Sequence, residues 1–187
     1  CFRDEDLRAD RQPEFTQIDI EASFIERDDI LALAEDLVGA LWAEGGHAIP
    51  ARFERMTYAV AMEQYGCDRP DLRYGLAIAD HTEAFRTLDF TIANAAIEAG
   101  GRVRGIVVPG AATWSRKQVD ELESLAKEAG AGGLLRLKRV DGKHEGPIAK
   151  FLTPDAERAL ALADGSLALF VAGADRVSSP ALDRVRQ

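Results

Sequence analysis

Apolar and polar residues alternate near the start of the chain and then repeat with helical spacing. Residues 15–21 alternate between apolar and polar and include β-branched side chains, which predicts a half-buried antiparallel strand. Residues 4–13 are too charged for a core and end in Pro13, which predicts a long loop. Residues 1–24 are therefore expected to form a strand, a long loop and a second strand.

Two helices are predicted next. Residues 28–44 place apolar side chains in one stripe at helical spacing, and two glycines at 45–46 end the pattern. A shorter helix is predicted at about 57–65, with Thr57 as its N-cap and Gly66 as its stop.

A separate α/β pattern begins at about residue 77, after a loop at 67–73. Three signals predict the starts of helices: Asp80 with Glu83, Ser115 with Gln118, and Thr153 before Pro154. The helix after Ser115 is expected to run to Gly130. Three apolar runs predict strands at 102–109, 133–140 and 167–172. Residues 176–187 have the pattern of another helix.

Composition limits the class of protein. The 187 residues are 47% apolar and 29% charged, which excludes disorder throughout. Cys1 and Cys67 are the only cysteines, so a disulfide scaffold is excluded and a reducing cytoplasm is the simplest compartment. No apolar run reaches the roughly 18 residues of a membrane helix, and no membrane partner is expected.

The net charge of −9 comes from 32 acidic and 23 basic residues. An acidic chain is a poor non-specific binder of nucleic acid, because such binding depends on neutralising phosphates. Any contact with nucleic acid must therefore come from a local group of arginines. The three histidines are isolated from one another and from the cysteines, so no metal-ligand spacing is present.

The most specific pattern lies at the start of the chain. Residues 2–5 read FRDE, a charged loop follows, and residues 15–19 read FTQID. This arrangement resembles motif 2 of the class II aminoacyl-tRNA synthetases, in which Arg-x-Glu and Phe-x-x-x-Asp lie on two strands joined by a variable loop. The full string at 1–19, CFRDEDLRADRQPEFTQID, is similar to the aspartyl-tRNA synthetase family.

Later segments carry the same resemblance. Residues 65–73, YGCDRPDLR, resemble a loop of that family, with Arg69 where lysine is more usual. Three segments resemble the GAD insertion domain of the bacterial enzyme, which is also found in a tRNA-dependent amidotransferase subunit: VVPG at 107–110, SRKQ at 115–118 and PIAKFL at 147–152. Near the end, Asp183 and Arg184 depart from the family's pattern.

The resemblance implies an α/β (α+β) fold in three parts. Residues 1–76 are expected to be part of a class II antiparallel-sheet catalytic domain, residues 77–175 a GAD-type insertion domain, and residues 176–187 the return to the catalytic domain. The first residues have the pattern of the middle of a longer sequence, so we expect a fragment. The anticodon-binding domain, motifs 1 and 3 and the Mg²⁺ ligands are expected outside it, and the fragment alone is expected to be inactive.

The family activates L-aspartate with ATP and transfers it to the 3′ end of tRNA. A planar guanidinium suits this reaction, because it can grip the attacked phosphate through two hydrogen bonds and stabilise its developing charge. Arg3 matches that catalytic position and also contacts aspartate by resemblance. The resemblance implies that ATP is bound by Arg3, Asp4, Glu5, Gln12 and Phe15. Glu5 is expected to accept a hydrogen bond from the adenine amino group, and Phe15 to stack on the adenine ring. Aspartate binding is implied for Arg3 and Asp19, and tRNA binding for Arg8 and Arg11.

The implied partners are ATP, L-aspartate and tRNA, with a homodimer for the full enzyme. Without the resemblance, Arg3 would be interpreted as a solvated ion pair with its acidic neighbours and Phe15 as a core residue. One alternative is a non-catalytic GAD-like module that contacts RNA or protein. The amidotransferase subunit is a weaker alternative, because it shares only the insertion domain. Whether the enzyme charges only the aspartate tRNA or also the asparagine tRNA stays open.

Overall fold

The computed structural model describes residues 1–6 and 8–187; Leu7, in the predicted loop, lies outside the described residues. The chain divides into two compact units, Cys1–Arg55 and Met56–Gln187.

The first unit begins with a short antiparallel hairpin. Phe2 pairs with Glu14, and backbone hydrogen bonds of 2.8 and 3.0 Å join Cys1 to Phe15. The strand predicted at 15–21 is wrong for this unit, because residues 16–21 have no hydrogen-bonded neighbour strand among the described residues. An extended segment becomes a strand only when a second segment satisfies its backbone groups.

The helix predicted at 28–44 is present as α1 (Arg27–Glu44). The Asp29 side chain accepts from the backbone nitrogen of Glu26 at 2.9 Å, and the backbone nitrogen of Asp29 donates to the Glu26 carbonyl at 3.2 Å, which closes the first turn. The apolar stripe is present but none of it is buried within this unit. Its exposed members include Ile30, Leu33, Leu41 and Trp42.

The Glu35 carboxylate on α1 binds the last residues of the first unit. The side chain of Glu35 is only 9% exposed, and it lies 3.4 Å from the Arg52 guanidinium and 3.5 Å from that of Arg55. The backbone nitrogen of Phe53 also donates to Glu35. These contacts hold residues 52–55 against the helix.

The second unit contains six α-helices and five strands among its described residues. In chain order they are α2 (Tyr58–Tyr65), β1 (Ala79–Asp80), α3 (Thr82–Arg86), α4 (Thr91–Glu98), β2 (Arg102–Val108), α5 (Arg116–Glu128), β3 (Leu135–Val140), β4 (Lys143–Glu145), α6 (Pro154–Leu160), β5 (Leu167–Gly173) and α7 (Asp175–Arg186).

The strands form one antiparallel sheet in the order β1-β2-β5-β3-β4. Strand β5 lies at the centre and pairs with β2 along its whole length, from Leu167 opposite Val108 to Gly173 opposite Arg102. Its central position explains why residues 167–172 are almost continuously apolar, since both faces of the strand are covered.

Helices cover both faces of the sheet. On one face α5 and α7 pack over residues that include Ile106, Leu167, Leu169 and Val171. On the other face α3, α4 and α6 pack over residues that include Val103, Leu137, Ala168 and Phe170. Gly105 is required in this second layer, because a Cβ atom there would lie 2.5 Å from the Phe170 ring.

Most of the predicted helix starts are confirmed. The side chains of Thr57, Ser115 and Thr153 accept hydrogen bonds from the first turns of α2, α5 and α6. The predicted box of Asp80 and Glu83 is wrong by one residue: α3 begins at Thr82, whose backbone nitrogen donates to Asp80. Glu83 pairs with Arg86 instead of reaching back, at 2.9 Å. The short α4 and β4 had no signal in the sequence pattern that we recognised.

The sheet-containing unit includes α2, the 67–73 loop and α7. The end of α2 lies close to α7, because a Cβ atom on Gly66 would lie 2.2 Å from the carbonyl oxygen of Ser179. Gly66 also has a φ of +79°, which favours glycine. The family domain limits at 76 and 175 stay predictions.

Candidate functional site

The hairpin places alternate residues of the first strand on opposite faces. Arg3 donates its backbone N–H to the carbonyl of Pro13 at 2.9 Å, which fixes the register of the two segments. Because side chains alternate along an extended strand, Arg3 and Glu5 share one face and Asp4 belongs to the other.

A cavity of about 560 Å³ lies on the face that carries Arg3 and Glu5. Its described lining residues are Arg3, Glu5, Ala9, Asp10, Arg11, Gln12 and Phe15. The structure thus brings together four of the five residues predicted to bind ATP. It also brings in Arg11, which was predicted to bind tRNA. Asp4, Arg8 and Asp19 are not among the described lining residues, and their roles stay predictions.

Arg3 and Phe15 interact directly across the hairpin. The guanidinium carbon of Arg3 lies 5.3 Å from the centre of the Phe15 ring, within the range of a cation–π contact. The interpretations that would hold without the resemblance, a solvated ion pair for Arg3 and a core position for Phe15, do not describe these residues. Among the described residues Arg3 forms no ion pair with Asp4 or Glu5, and Phe15 is half-buried rather than part of a core.

Glu5 is paired with an arginine from the loop. A turn closes where the backbone nitrogen of Arg11 donates to the carbonyl of Arg8 at 3.1 Å. The turn brings the Arg11 guanidinium to 2.7 Å from the Glu5 carboxylate. Both side chains are partly exposed, at 45% for Arg11 and 26% for Glu5, so water and ligands can compete for this pair.

The chemistry of the cavity suits a nucleotide. An aromatic ring offers a face for a planar base, and a carboxylate accepts hydrogen bonds from an exocyclic amino group. Two guanidinium groups in the same cavity supply positive charge for phosphates. Sequence reasoning missed Arg11 as a member of this cavity, since the turn that carries it there was not predicted.

The 67–73 loop, which resembles a loop of the family, is held by contacts at both of its ends. The buried guanidinium of Arg186 donates to the carbonyls of Asp71, Gly75 and Leu76 at 2.8–3.0 Å. It also lies 4.7 Å from the Tyr65 ring centre.

Asp183, one of the departures from the family pattern, also contacts this loop. Its carboxylate accepts a hydrogen bond from the Cys67 thiol at 3.1 Å. Burial and this hydrogen bond raise the pKa of Cys67, so the thiol stays protonated at neutral pH.

We expect Asp71 to titrate far below an ordinary aspartate. Two hydrogen-bonding groups of Arg73, the guanidinium and the backbone nitrogen, lower the pKa of Asp71 to about 2. A depressed pKa means that the contribution of this pair to stability is complete above the unfolded value near 3.9 and is lost as the pH falls through about 2. NMR titration of the carboxyl carbon measures this midpoint, and Arg73→Met should raise it toward the ordinary value without reaching it, because the backbone nitrogen of residue 73 still donates to Asp71. An ordinary midpoint in the unmodified chain would contradict the pairing.

A second charged cluster lies at the edge of the sheet, where sequence reasoning had recognised only a strand. Arg102 bonds Glu63 on α2 and Asp175 on α7 at 2.8–2.9 Å, and it reaches Asp80 on β1 at 3.1 Å. These hydrogen bonds lower the pKa values of Glu63 and Asp175. The cluster therefore ties three elements to the start of β2.

Arg104 is the buried member of this cluster. Its side chain is 1% exposed and donates to the Ser179 hydroxyl at 2.7 Å and to the carbonyls of Met62 and Glu63. Those carbonyls end α2, where a positive charge is favoured. The alternation of Arg102 and Arg104 with Val103 was a signal for this cluster, since it places both arginines on one face of the strand.

Neither a metal centre nor a membrane-spanning helix is found in the described part of the chain. No three side chains of His, Cys, Asp or Glu gather there in a group suited to a metal ion. No described helix combines the length and the apolar character needed to cross a bilayer.

Comparison with known proteins supports the same family that the motif residues resemble. The family model for class II tRNA synthetases (D, K and N) matches residues 1–152. Similar proteins include an aspartate–tRNA ligase of Geobacillus kaustophilus, 48% identical over 192 residues that cover 100% of this chain and 32% of the relative. The aspartate–tRNA ligase of Clostridium botulinum strain Hall is 46% identical, with coverage of 100% and 32%.

A further relative carries a different name. The aspartate–tRNA(Asp/Asn) ligase of Micrococcus luteus is 44% identical over 191 residues, which cover 100% of this chain and 31% of that protein. This chain therefore spans about a third of the length of the curated relatives that it matches. On the family match and the full-length similarity, the chain belongs to the class II tRNA synthetases of the D, K and N group.

Proposed function

We propose that this chain is a segment of an aspartate–tRNA ligase and supplies one half of its ATP site. The observation that carries the proposal is the hairpin cavity, where Arg3, Glu5, Gln12 and Phe15 lie together at the positions that match motif 2. The names of the relatives support aspartate as the amino acid.

In this proposal the residues divide the work of adenylate formation. Phe15 stacks on adenine and Glu5 accepts from its amino group, which fixes the base. Arg3 binds the α-phosphate and stabilises the charge that develops as the aspartate carboxylate attacks it and pyrophosphate leaves. Gln12 adds a polar contact to ATP. Asp4, and Asp19 as the acceptor of the aspartate ammonium, keep their sequence-based roles as part of the proposal.

The remaining partners belong to the same proposal. Arg8 and Arg11 would meet the acceptor end of tRNA, which is reached through phosphates and unstacked bases. Residues 1–76 and 176–187 would belong to the catalytic domain, and residues 77–175 would form the inserted GAD-type domain. The whole enzyme would be a cytoplasmic homodimer. Mg²⁺ would neutralise charge on ATP, with ligands expected outside the segment.

The proposal is tested with a chimera. The aligned segment of the Geobacillus kaustophilus ligase is replaced by residues 1–187 of this chain, and ATP–pyrophosphate exchange is measured with and without aspartate. We expect aspartate-dependent exchange from the chimera and none from the isolated chain, because the isolated chain holds only half of the ATP site. A folded chimera that fails to exchange would refute the proposed function. Exchange by the isolated chain would refute the expectation that it holds only half of the ATP site.

A further inference from the structure

We propose that Arg11 guards the adenine position: it occupies the Glu5 carboxylate while the site is empty and has to leave when adenine binds. The inference rests on the proposed function and concerns how the same site is filled. It starts from the 2.7 Å contact between Arg11 and Glu5, at the carboxylate proposed to recognise the adenine amino group.

The positions proposed for adenine are both occupied by the chain itself. The Arg3 guanidinium lies over the Phe15 ring, where the base is proposed to stack. The Arg11 guanidinium holds Glu5, where the amino group is proposed to bind. An incoming base therefore exchanges one set of contacts for another rather than entering a vacant site.

The hairpin is built so that this exchange needs little movement. Arg11 follows directly on a turn closed by one backbone hydrogen bond to Arg8. Its side chain is 45% exposed, so it can rotate into solvent without opening a core. A partly exposed ion pair is also weak enough to be displaced by a ligand.

The inference predicts opposite effects of one substitution on two ligands. Arg11→Met frees Glu5, so adenosine, which is neutral, should bind more tightly. The same substitution removes a positive charge from the cavity, so ATP, which is anionic, should bind less tightly. A loss of folding would weaken the binding of both ligands, so the two directions separate release of the carboxylate from damage.

Binding is measured by NMR titration of the 187-residue chain, following the backbone amides of Gln12 and Phe15. We expect the Kd for adenosine to fall by up to about fivefold in Arg11→Met, equivalent to about 1 kcal/mol. Purine riboside is the control ligand, because it lacks the amino group and has no N–H donor on that edge of the base, so it cannot donate to Glu5. Its Kd should not fall. Arg86→Met is the control variant, because it breaks an exposed Arg–Glu pair outside the cavity and should leave all Kd values unchanged.

Each outcome decides between the two proposals. If adenosine binds the unmodified chain and Arg11→Met equally, the guarding role is wrong and the nucleotide site stands. If Arg11→Met lowers the Kd of purine riboside as much as that of adenosine, Glu5 is not recognising the amino group, and the guarding role is again wrong. If neither ATP nor adenosine perturbs Gln12 and Phe15 in the unmodified chain, this segment does not form the proposed site and both proposals fail.

Discussion

Replacing Arg3 by alanine in the chimeric ligase is expected to lower the rate of aspartyl-adenylate formation by about 10²-fold or more, as for loss of one preorganised donor at a transition state. Arg3 lines the cavity, and its guanidinium has to leave the face of Phe15 to bind the α-phosphate when adenine stacks on that ring. Its charge is needed most when a carboxylate attacks an anionic phosphate, because like charges then approach each other. The effect should therefore appear in kcat more than in the KM for ATP.

Single-turnover formation of the adenylate measures this effect directly. Arg27→Ala is the matched control, since Arg27 belongs to the same unit, lies outside the cavity and pairs with Asp28 in solvent. The control should retain the full rate. If the rate for Arg3→Ala is within about threefold of that of the unmodified chimera, the loss is far smaller than expected. That result would show that Arg3 is not the phosphate-binding group.

Replacing Arg104 by methionine should lower the free energy of unfolding of the second unit by about 3 kcal/mol. The substitution keeps much of the side-chain volume but removes the donors to Ser179, Met62 and Glu63. The Met62 carbonyl keeps the backbone N–H of Gly66, but the Ser179 hydroxyl and the Glu63 carbonyl would lose their bonds to Arg104 at a buried contact between α2, α7 and the sheet, which is costly. Arg102→Met is the matched comparison two residues away on the same strand. Its ion pairs are more exposed, so the expected loss is about 1 kcal/mol.

Urea unfolding followed by tryptophan fluorescence measures both variants. Trp114 packs against the core of the second unit, whereas Trp42 lies exposed on α1, so a Trp42→Phe background leaves Trp114 as the reporter. Equal losses of unfolding free energy for the two variants would contradict this prediction, because they would show that the burial of Arg104 does not increase the contribution of its contacts to stability.

The elements that could be predicted from the sequence are those whose signals are local. Thr57 and Ser115 were recognised as caps because a short polar side chain before a helical pattern has one obvious use. The central strand β5 was recognised because burial on both faces leaves only apolar residues. The grouping of Arg3, Glu5 and Phe15 followed from the resemblance to motif 2, with the hairpin register supplying the geometry.

The features that could not be predicted depend on residues distant in the chain. The strand expected at 15–21 had the right alternation, but alternation does not supply a neighbouring strand. Arg104 belongs to a cluster whose partners lie about 41 residues before it and 75 after it, and no local pattern connects them. Arg11 was assigned to tRNA from its place in the loop, whereas the turn at 8–11 also carries it to Glu5.

The position of adenine tests the central claim most directly. A crystal structure of this chain, or of the chimera, soaked with ATP should show the adenine ring stacked on Phe15 with its amino group at the Glu5 carboxylate, and the Arg11 guanidinium moved away from Glu5. ATP bound elsewhere in an otherwise accessible site, or adenine bound with Phe15 and Glu5 untouched, would contradict the proposal that this hairpin is half of the ATP site of an aspartate–tRNA ligase.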